Sequence, residues 1–90
     1  MAYVINGRKL NNEKDWRIST AQKRRTEHQE VYPQQDGSIK QVIEMEGGIR
    51  IETVLSADGK SVVTNINREV AVDDENGLII ILDDAGLNTH

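Results

Sequence analysis

Between residues 39 and 66 the apolar side chains fall on alternate positions: Ile39, Ile43 and Met45, then Ile49, Ile51 and Leu55, then Val62 and Ile66. Glu44, Arg50 and Glu52 lie between them. A period of two is the signature of strands with one buried face. Glycine-containing dipeptides punctuate the runs: Asn6-Gly7, Asp36-Gly37, Gly47-Gly48, Asp58-Gly59 and Asn76-Gly77. Asn-Gly, Asp-Gly and Gly-Gly tolerate the positive φ of tight hairpins, so the series predicts a β-meander. From residue 31 onward the chain holds fifteen of its eighteen Ile and Val residues, types suited to a pleated, half-buried surface.

Loop lengths follow from keeping the apolar set on one face. A two-residue Gly47-Gly48 loop would set Met45 against Arg50 and Ile43 against Glu52. A three-residue loop, Glu46-Gly47-Gly48, pairs Met45 with Ile49, Ile43 with Ile51 and Ile39 with Leu55. It also sets Glu44 against Arg50, a favourable cross-strand pair. The expected turn is therefore type I, with Gly48 left-handed and bulged. At Asp58-Gly59 a two-residue type I′ loop pairs Leu55 with Val62, Thr53 with Thr64 and Ile51 with Ile66. Asn6-Gly7 would pair Tyr3 with Leu10. A three-residue Glu75-Asn76-Gly77 loop would pair Val72 with Ile80 and Val70 with Leu82.

Residues 11–30 break the pattern. Ser19 and Gln22 have capping-box spacing, and no glycine or proline lies between Thr20 and Glu30. A short helix is expected from about Asn12 or Ser19 to Gln29, before Pro33. Trp16, Ile18 and Ala21 are its only apolar candidates. The other reading is an extended arm in which Trp16 and Ile18 alternate with Arg17 and Ser19. The expected fold class is mainly β, or α+β: an antiparallel meander of 4–6 strands with one short helix or extended arm at about residues 12–29. Ninety residues predict one domain spanning 1–90.

A sheet with a broad aliphatic face must be covered by another layer. A sparsely apolar helix supplies little of it. Three solutions follow: the sheet curls into a barrel, packs on a second copy, or packs on another protein. The last two imply an interaction role.

Candidate chemistry adds little to that picture. There is no cysteine, which removes disulfides and thiolate metal sites. The longest strongly apolar run, Leu78 to Leu82, is too short to span a membrane, and the first seven residues lack a secretory core. The expected setting is cytoplasmic, in a host cytoplasm or virion if the protein is viral. The only histidines are His28 and His90, and no serine elbow, metal-binding His-Glu motif or phosphate-cradling loop is present. The expectation is no enzyme, no metal and no cofactor. Counting back from Gly77 puts Val72 where a calcium loop needs its first oxygen ligand. The Asp73-Asp74-Glu75 and Asp83-Asp84 clusters are then gatekeepers around the aggregation-prone Leu78–Leu82 run.

Charge is divided along the chain. Residues 1–30 carry seven Lys/Arg against four Asp/Glu, and residues 31–90 carry four against eleven, for a net −4. The basic side is centred on Trp16, Arg17, Lys23, Arg24 and Arg25, with Lys14, Arg8 and Lys9 near them. These five are the candidate partner-binding residues, as a tryptophan among arginines is a common interface centre. The structural reading beside it makes Trp16 a core anchor and the cations a solvated face. The expected function is a non-catalytic protein-binding or assembly module, homo-oligomeric or with another protein. A small viral structural or accessory protein, or an inhibitor of a larger protein, would fit that description. The alternative is a nucleic-acid-binding domain using the basic segment 8–25, against which stand an acidic pI and only three aromatic residues.

Overall fold

The computed structural model describes residues 1–11, 13–20 and 22–82. Among them are nine strands: β1 (Ala2–Ile5), β2 (Arg8–Leu10), β3 (Arg17–Thr20), β4 (Thr26–Pro33), β5 (Ile39–Met45), β6 (Ile49–Leu55), β7 (Ser61–Ile66), β8 (Val70–Asp73) and β9 (Leu78–Ile81). They form a six-stranded sheet ordered β2-β1-β7-β6-β5-β4 and a three-stranded sheet ordered β3-β9-β8. The mainly β class expected from the pattern is the one observed, and β4 to β7 form the meander.

The register of β5 on β6 is the expected one, from Met45 opposite Ile49 through Ile43 opposite Ile51 to Ile39 opposite Leu55. Its turn is not type I. Gly47 and Gly48 have φ of 86° and 78°, and a type I turn requires a negative φ at the position Gly47 holds. The register of β6 on β7 is also as expected, with Leu55 opposite Val62 and Ile51 opposite Ile66. That turn is longer than two residues and is not type I′. Ser56 donates its N–H to Ser61 O, and Gly59 donates to Ser56 O. Asp58 keeps a negative φ, so only Gly59, at 72°, is left-handed. Two- and four-residue loops share a parity, and parity alone sets which face each side chain joins.

At the N-terminus, Tyr3 pairs with Leu10 across an Asn6-Gly7 turn whose two residues have φ of 46° and 80°, the type I′ signature. The β1–β2 hairpin then joins β7 in parallel, Ile5 opposite Thr64. That pairing and the parallel β3–β9 pairing depart from a purely antiparallel meander.

Among the described residues the expected helix does not form: residues 17–20 and 26–33 are strands, so the extended alternative is realised. Ile18 sits beside Ile79 in the second sheet, and the period-two alternation buries Trp16 while Arg17 stays exposed. The last hairpin is displaced by one residue from the expected register. Val72 faces Ile79 and Val70 faces Ile81, across a four-residue loop. Asp73 sets that loop, its Oδ1 accepting the N–H groups of Glu75 and Asn76 and its Oδ2 accepting Asn76 Nδ2. The shift turns Ile79 and Ile81, both fully buried, toward the large sheet.

The cover for the aliphatic face therefore comes from the chain itself, an arrangement outside the three solutions considered from sequence. The rows Ile18–Ile79–Val72 and Thr20–Ile81–Val70 of the small sheet oppose the large one. Ile5, Leu10, Trp16, Ile49, Ile51, Ile66, Ile79 and Ile81 make one core cluster. Asp83, Asp84, His90 and Ala21 lie outside the described residues, as does Asn12.

Candidate partner-binding surface

The basic segment leads from β3 to β4 and passes the tip of the β5–β6 hairpin. Arg24 Nη1 donates to Glu46 O at 2.9 Å, and Arg25 takes Glu46 by its backbone N–H and by an ion pair at 3.4 Å. From the other side, Arg68 Nη2 donates to Gly47 O at 2.6 Å and Asn67 Nδ2 to Gly48 O at 2.9 Å. A hairpin tip exposes carbonyls that no ladder satisfies, and cationic donors satisfy them well. Arg24 and Arg25 thus fasten a loop, while Arg17 and Lys23 are exposed and face solvent.

Trp16 is set apart from these cations. It is 9% exposed, its indole N–H donates to Asn11 O, and its ring lies 6.4 Å from that of Tyr3 at a tilted angle. The core reading of Trp16 is the one the structure supports. Of the five candidate residues, Arg24 and Arg25 are brought together on the Glu46 loop, Lys23 precedes them in the chain, Arg17 lies on β3 beside Leu78, and Trp16 is turned into the core.

The polar face of the large sheet carries a charge network. Arg50 contacts Glu44 and Glu52 at 2.7 Å each, and Lys40 reaches Glu52 at 3.3 Å. The Arg50 hydrogen bond, then Lys40, holds the Glu52 carboxyl below its ordinary range, and Arg50 is pushed up chiefly by Glu52. Glu30 is lowered first by His28, at 2.7 Å, and then by Tyr32. Val42 projects into this face and is only 4% exposed, set between Glu30 and Glu52 across the ladder. Each of these carboxylates has a partner on this face.

The opposite face is unevenly covered. Three strands lie over six: the core joins β1, β2, β6 and β7 to Ile79 and Ile81, with Ile43 and Met45 of β5 packed against it. At the β4 end, Val31 is 57% exposed and Ile39 43%. Every residue of β4 is exposed. Between β3 and this overhang runs a groove of about 320 Å³, lined by Ile18, Thr20, Thr26, Ile43, Met45 and Thr53 among others.

The sheet edges differ in how they are protected. Edge β2 is three residues long and carries Arg8 and Lys9. Edge β4 has a bulge between Thr26 and His28, charged residues, and Pro33. Gln34 donates its N–H to Ser38 O, so alternation turns the Pro33 nitrogen, which has no hydrogen, to the open side. These are the usual devices against strand addition. Edge β3 has neither proline nor bulge.

No protein-family model, curated protein or solved structure matches the chain. The functional reading therefore rests on this geometry. The sequence pointed to the cations, but it did not reveal the overhang or the groove. The only local signal was that Val31 and Ile39 follow a stretch too polar to cover them.

Proposed function

We propose that this chain is a non-catalytic protein-binding or assembly module that works through the uncovered end of its large sheet. The observation that carries the reading is the mismatch of layers, six strands against three, which leaves Val31 and Ile39 in water. Apolar area exposed in one contiguous region is the usual mark of an interaction site. The occupant is another protein or a second copy of the chain. The buried Trp16 ring takes from the nucleic-acid alternative its one strong stacking group. Among the described residues no helix is long and apolar enough to cross a membrane.

Affinity capture from the native host with the wild-type chain and a Val31→Arg/Ile39→Arg variant tests the reading, alongside light scattering of both. Proteins retained by the wild type and lost by the variant support it, as does a wild-type oligomer that the variant dissociates. A wild-type monomer with no retained protein distinguishing the two chains would reject it.

A further inference from the structure

We infer that β3 and the groove beside it accept one extended peptide strand from a partner protein, with apolar side chains at alternate positions and acidic residues at one end. The inference rests on the protein-binding reading and gives it a location and a chemistry.

The first argument is the backbone. Arg17 donates its N–H to Gly77 O at 2.9 Å, so Arg17 and Ser19 direct their peptide groups to β9. By strand alternation, Ile18 and Thr20 direct theirs to the other side, where no described strand pairs with them. Strand addition uses such an edge for affinity, with alternate side-chain pockets for specificity. The second argument is the floor. Ile43, Met45 and Thr53 are half-buried beside this edge, so a fourth strand in the small sheet would set its inward side chains on them. On the β8 side the neighbouring floor residues Ile5 and Ile66 are already buried, leaving nothing comparable to cover.

The third argument is charge. The groove reaches Thr20 in the small sheet and Thr26 in the large one, which places residues 22–25 at that end. Lys23, Arg24 and Arg25 stand on that stretch, against Glu46, which Arg25 pairs, and Glu27. The balance favours an anionic end of a peptide.

The fourth argument selects a single strand over a second copy. The two-fold axis of an antiparallel pairing of β3 with its equivalent would be perpendicular to the small sheets and would place both large sheets on the same side. Each overhang of β5 and β4 would then project into the volume occupied by the other. A lone strand avoids that collision.

The test is selection from a displayed library of random dodecapeptides on the immobilised chain, followed by synthesis of the enriched peptide. Expected are peptides with alternating apolar residues and terminal aspartate or glutamate, which raise the melting temperature. N-methylation of alternate peptide amides, or Lys for Asp at the acidic end, should weaken binding about tenfold or more. Ile18→Pro removes an outward donor without touching the Arg17 or Ser19 links to β9, and should weaken binding by a similar factor with Trp16 emission unchanged. If Ile18→Pro fails to fold, the N-methylated peptides decide alone. The inference is overturned if no peptide is enriched, if binding ignores N-methylation, or if light scattering shows a wild-type dimer that Ile18→Pro dissociates and the enriched peptide leaves intact. Should capture from the host succeed while these fail, the protein-binding reading survives and the groove does not.

Discussion

Asn6 and Ile66 are sixty residues apart and are joined by a 2.6 Å hydrogen bond from the Ile66 N–H to Asn6 Oδ1. Asn6 Nδ2 also donates to Arg68 O at 3.3 Å, and the Asn6 N–H donates to Thr64 O at 2.9 Å. One left-handed residue thus turns the first hairpin and stitches it to the end of β7. Asn6→Ala places a Cβ residue without that side chain at φ 46° and orphans the N–H of a buried isoleucine. The expected loss is about 2–3 kcal/mol, from about 1 kcal/mol of left-handed strain and the remainder from the hydrogen bond. Asn6→Gly removes the strain and should lose about half as much. Urea denaturation of the three chains checks the order, and equal midpoints for alanine and asparagine would refute it.

Gly47 and Arg24 are coupled at the other hairpin. A Cβ on Gly47 would collide with Arg24 Nη1, and Gly47 has φ 86°. The guanidinium is the end of a flexible side chain and can withdraw, at the expense of its bond to Glu46 O. Gly47→Ala should therefore cost about 1–2 kcal/mol of backbone strain plus part of one hydrogen bond. Gly59→Ala, with open space around its Cβ site, should show the strain alone. In an Arg24→Ala background the two glycine variants should converge. A double-mutant cycle measures this, and an undiminished gap between them would contradict the coupling.

The large sheet was legible in the residues because its apolar and polar positions alternate. Setting Met45 against Ile49 and Leu55 against Val62 are parity decisions, and parity survives errors in turn type. The β8–β9 register was illegible for the converse reason. Leu78 to Leu82 are five consecutive apolar residues, so neither parity leaves a polar face, and the Asp73 side chain decides the loop. The parallel pairings have no local signature at all: Ile18 meets Ile79 across sixty residues, and nothing near Ile18 announces it. For the site, the cations could be named from sequence. Which of them hold the Glu46 loop depended on a contact between segments more than twenty residues apart.

Ile79 and Ile39 separate folding from binding. Ile79 is fully buried between the sheets, whereas Ile39 is 43% exposed at the overhang. Ile79→Ala should cost about 2–4 kcal/mol through lost burial and a residual cavity, and Ile39→Ala about 1 kcal/mol or less. The comparison is made by urea denaturation. A destabilisation by Ile39→Ala equal to that of Ile79→Ala would mean that the overhang is packed in solution, and the uncovered face would not exist in the free protein.

Acid should destabilise the fold along a defined limb. Glu52 is depressed by Arg50 and then Lys40, and Glu30 by His28 and then Tyr32, both from an ordinary 4.5. Asp36 is depressed by the Ser38 hydroxyl and then its N–H, Asp58 by the Ser56 hydroxyl and the Lys60 N–H, and Asp73 by the Asn76 amide and N–H, all from an ordinary 3.8. Each folded value lies below the unfolded one, so the unfolded chain binds more protons in acid. Their contribution is complete above the unfolded values and is lost as pH falls through the folded ones. The urea midpoint should hold from neutrality to about pH 5 and decline below about pH 4.5. Salt should weaken the Glu52 share, which is an ion pair at the surface, and spare the turn aspartates, which are held by neutral donors. Arg50→Gln should likewise remove part of the acid limb, leaving the decline that begins below the aspartate range. A midpoint that stays level or rises from neutrality into that acid range would show that these carboxylates are not held in the folded state as described.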